Sequence, residues 1–95
     1  MDEIFAALAS PPRRRILASV SQIALTTTEL AERLRMTPPG ISRHLSVLLA
    51  AGLVASERQG QKVLYRLERD VLVGALGRFA DEVDAPLRRA LREAL

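Results

Sequence analysis

The chain has 95 residues, 48% of them hydrophobic but only 3% aromatic, with no cysteine and a net charge of +3. That length makes one domain, spanning residues 1–95, whose core must come from Leu, Ile, Val and Ala, and a domain this small gains from pairing with a second copy. The absent cysteines exclude disulfides and thiolate metal centres; no run approaches the roughly 18 apolar residues of a membrane span and no signal-peptide pattern opens the chain, so a cytoplasmic protein without membrane contact or cofactor is expected.

Residues 2–9 predict a short amphipathic helix, with acids in its first turn and Ile4, Phe5 and Leu8 on one side. Ser10, Pro11 and Pro12 break it: Ser10 can cap the next helix and Pro11 suits the first helical position. That second helix is expected to run to about Ile23, with Ile16, Leu17, Val20 and Ile23 as its apolar stripe. Arg13, Arg14 and Arg15 stand at its start, where positive charge is mildly unfavourable to the helix dipole. Two readings of the run stay open, a solvated or salt-bridged cluster and a contact to phosphate or to a partner subunit.

Thr26 and Glu29 have the spacing of a capping box, which starts a third helix over 26–35 with Leu30, Ala31 and Leu34 facing inward. Arg35, Met36 and Thr37 form a three-residue turn into the stretch around which the chain is organised, TPPGISRHLSVLLAAGL at 37–53. Thr37 is the N-cap, Pro38 takes the first helical position and Gly52 fits the left-handed position past the end. Ile41, Leu45 and Leu48 recur at helical spacing and form one buried stripe. Pro39, Arg43, Ser46 and Ala50 lie opposite, with Ser42 and Val47 on the flanks. His44 sits off the buried centre as a half-buried flank residue or a phosphate contact. Two short helices meeting at a tight turn are the layout of a helix-turn-helix, whose second helix enters the DNA major groove. The small outer face admits close approach, and Arg43 can donate a bidentate pair to guanine.

After Gly52 the pattern alternates. Residues 53–59 and 62–67 predict a β-hairpin turning at Gln59, Gly60 and Gln61, with Val63, Tyr65 and Leu67 on one face and Tyr65 packing at its base. The tip, Arg58, Gln59, Gln61 and Lys62, is polar and basic, as befits a wing reaching DNA backbone beside the second helix. From Asp70 onward Val71, Leu72, Leu76, Phe79, Ala80, Val83, Leu87, Leu91 and Leu95 follow helical spacing, and the set 72, 76, 79, 83, 87 approximates a heptad seam. A core this small cannot cover so long a stripe, so part of it is read as a dimer interface over about 70–95. Asp84, Ala85 and Pro86 interrupt it, more as a break than a kink. The fold class is mainly α with a small β-hairpin, in the order α-α-α-α-β-β-α, dimerising through its terminal helices.

The charge sits with the groove-shaped helix. Residues 33–67 hold Arg33, Arg35, Arg43, Arg58, Lys62 and Arg66 against Glu57 alone, whereas the flanking parts hold slightly more acid than base. A phosphate-bearing partner, double-stranded DNA, fits this distribution. A winged-helix module that binds only protein would lack the Arg on the helix and the charge at the tip. Catalysis has no support: there is one histidine, no cysteine nucleophile, no phosphate loop and no Ser/His/Asp spacing of use.

The stretches IFAALASPPRRRIL (4–17), TELAERL (28–34) and ISRHLSVLLAAGLVASERQGQKVLYRL (41–67) resemble the ArsR family of bacterial winged-helix repressors, a likeness over about residues 2–80. The resemblance implies a homodimer joined through its first and last helices, binding an inverted-repeat operator and released by an inducer. Position by position it makes Ser42, Arg43 and His44 the DNA-reading run and the turn at Gly60 the wing tip; the outer face of the helix adds Pro38, Pro39 and Ser46, and the polar hairpin tip adds Arg58, Gln59, Gln61 and Lys62 as expected DNA contacts. With the dimer built through those helices, their apolar residues Ile4, Phe5, Leu8, Leu72, Leu76, Phe79, Val83, Leu87 and Leu91 are the expected interface. Many members carry a metal-binding Cys-x-Cys where this chain has Thr26 and Thr28. Others carry histidines on the last helix, where this chain has Asp70, Asp81 and Glu82 and no histidine. Metal sensing through those sites is therefore not expected. The signal is left open between a small organic inducer, a partner protein and simple autorepression.

Overall fold

The computed structural model describes residues 2–94. Leu95, the last member of the apolar stripe, lies outside the described residues. The first helix, α1 (Asp2–Leu8), stops where Ser10, Pro11 and Pro12 begin. Ser10 Oγ accepts the Arg13 amide at 3.4 Å and starts α2 (Pro11–Ser19), with proline in the first turn as the capping chemistry requires.

Helix α2 ends at Ser19, about a turn short of the expected Ile23. Ser19 Oγ donates to the Arg15 carbonyl and Ser21 Oγ to the Ala18 carbonyl, both at 2.9 Å. These local bonds engage the last carbonyls of the helix and compete with a further turn. Val20 remains buried, but Ile23, expected on the stripe, is 54% exposed.

The capping box forms as the spacing requires: the Glu29 amide donates to Thr26 Oγ1 at 3.1 Å and the Thr26 amide donates to Glu29 Oε1 at 2.9 Å. It opens α3 (Thr27–Leu34), which Arg35 closes in the left-handed region at φ 54°. Thr37 Oγ1 then accepts the Gly40 amide at 3.2 Å and opens α4 (Pro38–Ala50). Gly52, at φ 78°, turns the chain out of α4.

Strands β1 (Val54–Gln59) and β2 (Lys62–Leu67) pair antiparallel from Val54 opposite Leu67 to Gln59 opposite Lys62. The turn is the two residues Gly60 and Gln61, with a positive φ, 62°, at the first. A right-twisted hairpin needs such a residue, and glycine supplies it without strain. The base of the hairpin is anchored by Leu25, which exchanges both backbone hydrogen bonds with Tyr65 at 3.0 and 2.8 Å, and by the Leu67 amide, which donates to the Val20 carbonyl at 3.1 Å. Tyr65 thus occupies the base of the wing, half-buried.

The C-terminal stripe divides into α5 (Arg69–Val83) and α6 (Ala85–Ala94), which adds a helix to the expected order. Asp84 between them is extended, at φ −169°, and Pro86, in the first turn of α6, lacks the N–H that would continue the ladder of α5. One core joins α1 to α5: Ile16, Val20, Leu25, Leu30, Ile41, Leu45, Leu48 and Leu53 are fully buried. Ile41, Leu45 and Leu48 are the stripe expected for α4.

Candidate nucleic-acid interface

Burial of Ile41, Leu45 and Leu48 fixes the roll of α4 and leaves Pro38, Pro39, Ser42, Arg43, Ser46, Val47 and Ala50 exposed. Ser46 Oγ donates to the Ser42 carbonyl at 3.0 Å, so it lies along the helix and keeps the outer face low. Arg43 makes no hydrogen bond or ion pair with the described residues. In the wing Arg58, Gln59, Gln61 and Lys62 are all exposed at the hairpin tip, and Arg58 and Lys62 are likewise uncommitted among the described residues. Arg66, further down β2, pairs with Glu68 at 3.5 Å.

The wing stands against the start of α3. Gln61, Lys62, Val63 and Tyr65 line a groove opposite Thr26, Thr27, Thr28 and Glu29. The Glu29 carboxylate sits below its ordinary range because it accepts the Thr26 backbone amide and bonds the Thr26 hydroxyl; the charges of Lys62 and Arg33 add to this. The capping box therefore also sets the potential beside the wing.

The arginine run is tied to backbone carbonyls of its own chain. Arg13 donates from Nε to the Ala7 carbonyl at 2.7 Å and from Nη2 to the Ala6 carbonyl at 3.2 Å, and Arg14 donates from Nη1 to the Leu8 carbonyl at 2.6 Å. Arg15 reaches the Leu34 carbonyl, at the end of α3, at 3.4 Å. The run supplies C-terminal caps to two other helices, satisfying orphan carbonyls at the negative ends of their dipoles. The available signal was α1 itself, a helix with no basic residue in its last turn, followed closely by a cluster of cations.

His44 is half-buried, with Nδ1 3.4 Å from Arg13 Nη1. A guanidinium can only donate, so Nδ1 is the acceptor in this contact, which holds His44 on the flank of α4.

The residues read as a dimer face separate into two groups. Ile4 is only 8% exposed and belongs to the core of its own chain, leaving it little surface for a partner. Leu8 and Leu72 are partly buried against that core. Phe5 packs on Phe79 with ring centroids 5.2 Å apart and planes tilted by 60°, which joins α1 to α5. Phe79, Val83 and Leu87 stay 48, 59 and 43% exposed, and Leu76 and Leu91 border an apolar groove with Phe79, Ala80, Leu87 and Ala90.

The positions of the family's metal centres do not fit a transition metal. The Thr26 hydroxyl is engaged in the capping box and the Thr28 side chain is a neutral hydroxyl. Asp70, Asp81 and Glu82 are exposed on α5, Asp81 is paired with Arg88 at 3.0 Å, and the chain's one histidine lies on α4, against Arg13 of α2. Soft or imidazole donors are absent from both places.

A helix pair with a short turn, an exposed small-residue second helix and a basic hairpin define a winged helix-turn-helix. The model of the bacterial regulatory proteins of the arsR family matches residues 10–56. The transcriptional repressor SdpR of Bacillus subtilis is 35% identical over 76% of this chain and 80% of its own length. The chain belongs to the ArsR family. The SmtB repressor and the KmtR regulator of Mycobacterium tuberculosis are 42% and 37% identical over 68% and 72% of this chain, and the chain spans about half of their length, 48% and 52%. Among solved structures, an ArsR-like transcriptional regulator from Rhodococcus sp. RHA1 superposes with a TM-score of 0.81 at 29% identity, covering 98% of this chain and 84% of that one. The homodimeric winged helix-turn-helix DNA-binding domain of Mb0332 from Mycobacterium bovis superposes with a TM-score of 0.72 at 30% identity, covering 85% and 78%.

Proposed function

We propose that this chain is a homodimeric repressor that binds an inverted-repeat DNA operator and does not catalyse a reaction. The observation that supports it is the exposed face of α4, where uncommitted Arg43 stands among Pro39, Ser42 and Ser46, in one domain with the uncommitted Arg58 and Lys62 of the wing. A face of small side chains with one guanidinium fits the floor of the major groove, and the tip cations fit phosphate. Pro38 and His44 flank that face, and Gln59 and Gln61 add uncharged donors at the tip. The partner copy docks on the exposed apolar surface of α5 and α6 around Phe79, Val83 and Leu87, with Phe5 supporting it from α1. The repressor SdpR and the homodimeric M. bovis domain lend the reading their support.

No metal regulates the protein through the family's usual positions, because both lack the donors. Among the described residues no helix is long and apolar enough to cross a membrane, and the reading places the protein in the cytoplasm with its DNA. The test is a fluorescence-anisotropy titration at near-physiological salt, comparing duplex from upstream of the protein's own gene with a scrambled duplex. A preference of roughly 10³-fold or more, saturating at two chains per site, is expected. Equal weak binding to both duplexes that vanishes with salt would reduce the reading to backbone attraction.

A further inference from the structure

Helices α5 and α6 pack as a pair, and one side of that pair is built unlike the apolar side. A cleft of about 410 Å³ is lined by Arg69, Val73, Gly77, Arg88, Leu91 and Arg92, and no carboxylate lines it. Val73, Gly77 and Leu91 give it an apolar floor, and three guanidiniums surround that floor. Leu91 also borders the apolar groove of the proposed dimer face, so the cleft and that groove lie on adjoining sides of the helix pair.

The Arg88 guanidinium is held in place from two directions. A Cβ on Gly77 would fall 3.0 Å from both Nε and Nη2 of Arg88, so the buried glycine is what lets the guanidinium lie against the α5 backbone. From the other side Arg88 Nη1 donates to Asp81 Oδ2 at 3.0 Å. Arg69 and Arg92 have no ion pair or hydrogen bond with the described residues.

The arrangement works against local helix energetics. Arg69 is the first residue of α5, the end of a helix that disfavours a cation, and Arg88 and Arg92 stand four residues apart on α6, a spacing at which like charges repel. An anion in the cleft relieves both. The cleft volume falls in the range of small-molecule sites, and an apolar floor with a few convergent charged groups is how such sites hold an amphipathic ligand. Planar guanidiniums select carboxylate geometry, donating two parallel hydrogen bonds to one group.

We propose that the α5–α6 cleft binds a small organic carboxylate, with its apolar body on Val73, Gly77 and Leu91 and its carboxylate between Arg88, Arg92 and Arg69. This site does not depend on the DNA-binding reading.

The probe is 4-phenylbutyrate, with its neutral amide as the control, titrated into the ¹⁵N-labelled 95-residue chain without DNA and followed by NMR. The Nε–H signals of Arg69, Arg88 and Arg92 and the Gly77 amide are expected to shift together and saturate, with the amide at least about tenfold weaker. Arg92→Gln is expected to weaken the acid by about tenfold while leaving thermal unfolding and oligomeric state unchanged. Equal binding of acid and amide overturns the proposal, as does a response spread over Arg43 and Arg58 with the same midpoint. A loss of dimer in Arg92→Gln, with no saturable response to the probe, overturns it in favour of a partner chain's carboxylate as the occupant.

Discussion

Arg13 Nη1 lies 3.4 Å from Nδ1 of His44, while the same guanidinium donates to the carbonyls of Ala6 and Ala7. One side chain on α2 therefore ties the end of α1 to the flank of α4. Charge-assisted hydrogen bonds of this kind contribute about 1.5–3 kcal/mol each. Arg13→Ala is expected to lower stability by about 2–3 kcal/mol in urea denaturation at fixed protein concentration, because the carbonyls lose their cap and part of the site is shielded from water. Arg13→Lys should recover only part of this, since an ammonium cannot replace a planar fork that serves three acceptors. Equal stability of Arg13→Ala and the parent protein would remove the cap from the account.

Arg43 and the wing cations should separate in their effects on DNA. Arg43→Ala is expected to cost about 1–3 kcal/mol of operator affinity and to relax discrimination between duplexes. Arg58→Ala and Lys62→Ala should weaken binding to all sequences alike, and each should reduce the slope of log affinity against log salt by about one. Salt-dependent titrations of the three variants check both statements together. A uniform loss from Arg43→Ala would make it a phosphate contact instead.

The exposed apolar surface on α5 and α6 gives a prediction about assembly. Val83→Glu and Leu87→Glu place charge on residues that are 59 and 43% exposed in the single chain, so the fold should survive. Sedimentation equilibrium is expected to show monomer, with helical circular dichroism retained, and operator affinity should fall steeply because two half-sites are no longer held together. Intact dimers in both variants would move the interface elsewhere.

Acid should act on the start of α3. The Glu29 carboxylate is held below its ordinary range by the Thr26 amide first, then by the Thr26 hydroxyl. Folding therefore favours the ionised form. The resulting stability is fully present above the unfolded carboxylate value and is lost as pH falls through the lowered folded value. Thr26→Ala should cost about 1 kcal/mol at neutral pH, the usual worth of an N-cap. The gap between the variant and the parent should narrow below the carboxylate range. Denaturant midpoints measured from neutral to acid pH check the sign, and a gap that widens on acidification would contradict it.

Much of this architecture was legible because its signals are local. The Thr26 and Glu29 spacing, Thr37 before Pro38, Gly52 after the helix and Gly60 at the hairpin turn each specify a nearby backbone geometry, and each appears where expected. Pro86 likewise announced the break between α5 and α6. What sequence could not show depended on contacts between distant residues. The arginine run could not be read as helix caps without knowing that the ends of α1 and α3 lie beside it. The pairing of Leu25 with Tyr65 likewise joins a loop to a strand forty residues away in the chain. The end of α2 was missed for a smaller reason: Ser19 and Ser21 compete for its carbonyls, which a hydrophobic stripe extended to Ile23 does not register. The face of α4 followed from periodicity alone, because three buried residues fix the roll of a helix.

The central claim is that two copies of α4 read two half-sites. Hydroxyl-radical footprinting on a bound upstream duplex tests it most directly. The account predicts two protected patches of related sequence, related by a dyad and centred about 34–36 Å apart or a multiple of that, with Arg43→Ala weakening both equally. A single patch, or even protection along the duplex that disappears with salt, would contradict it.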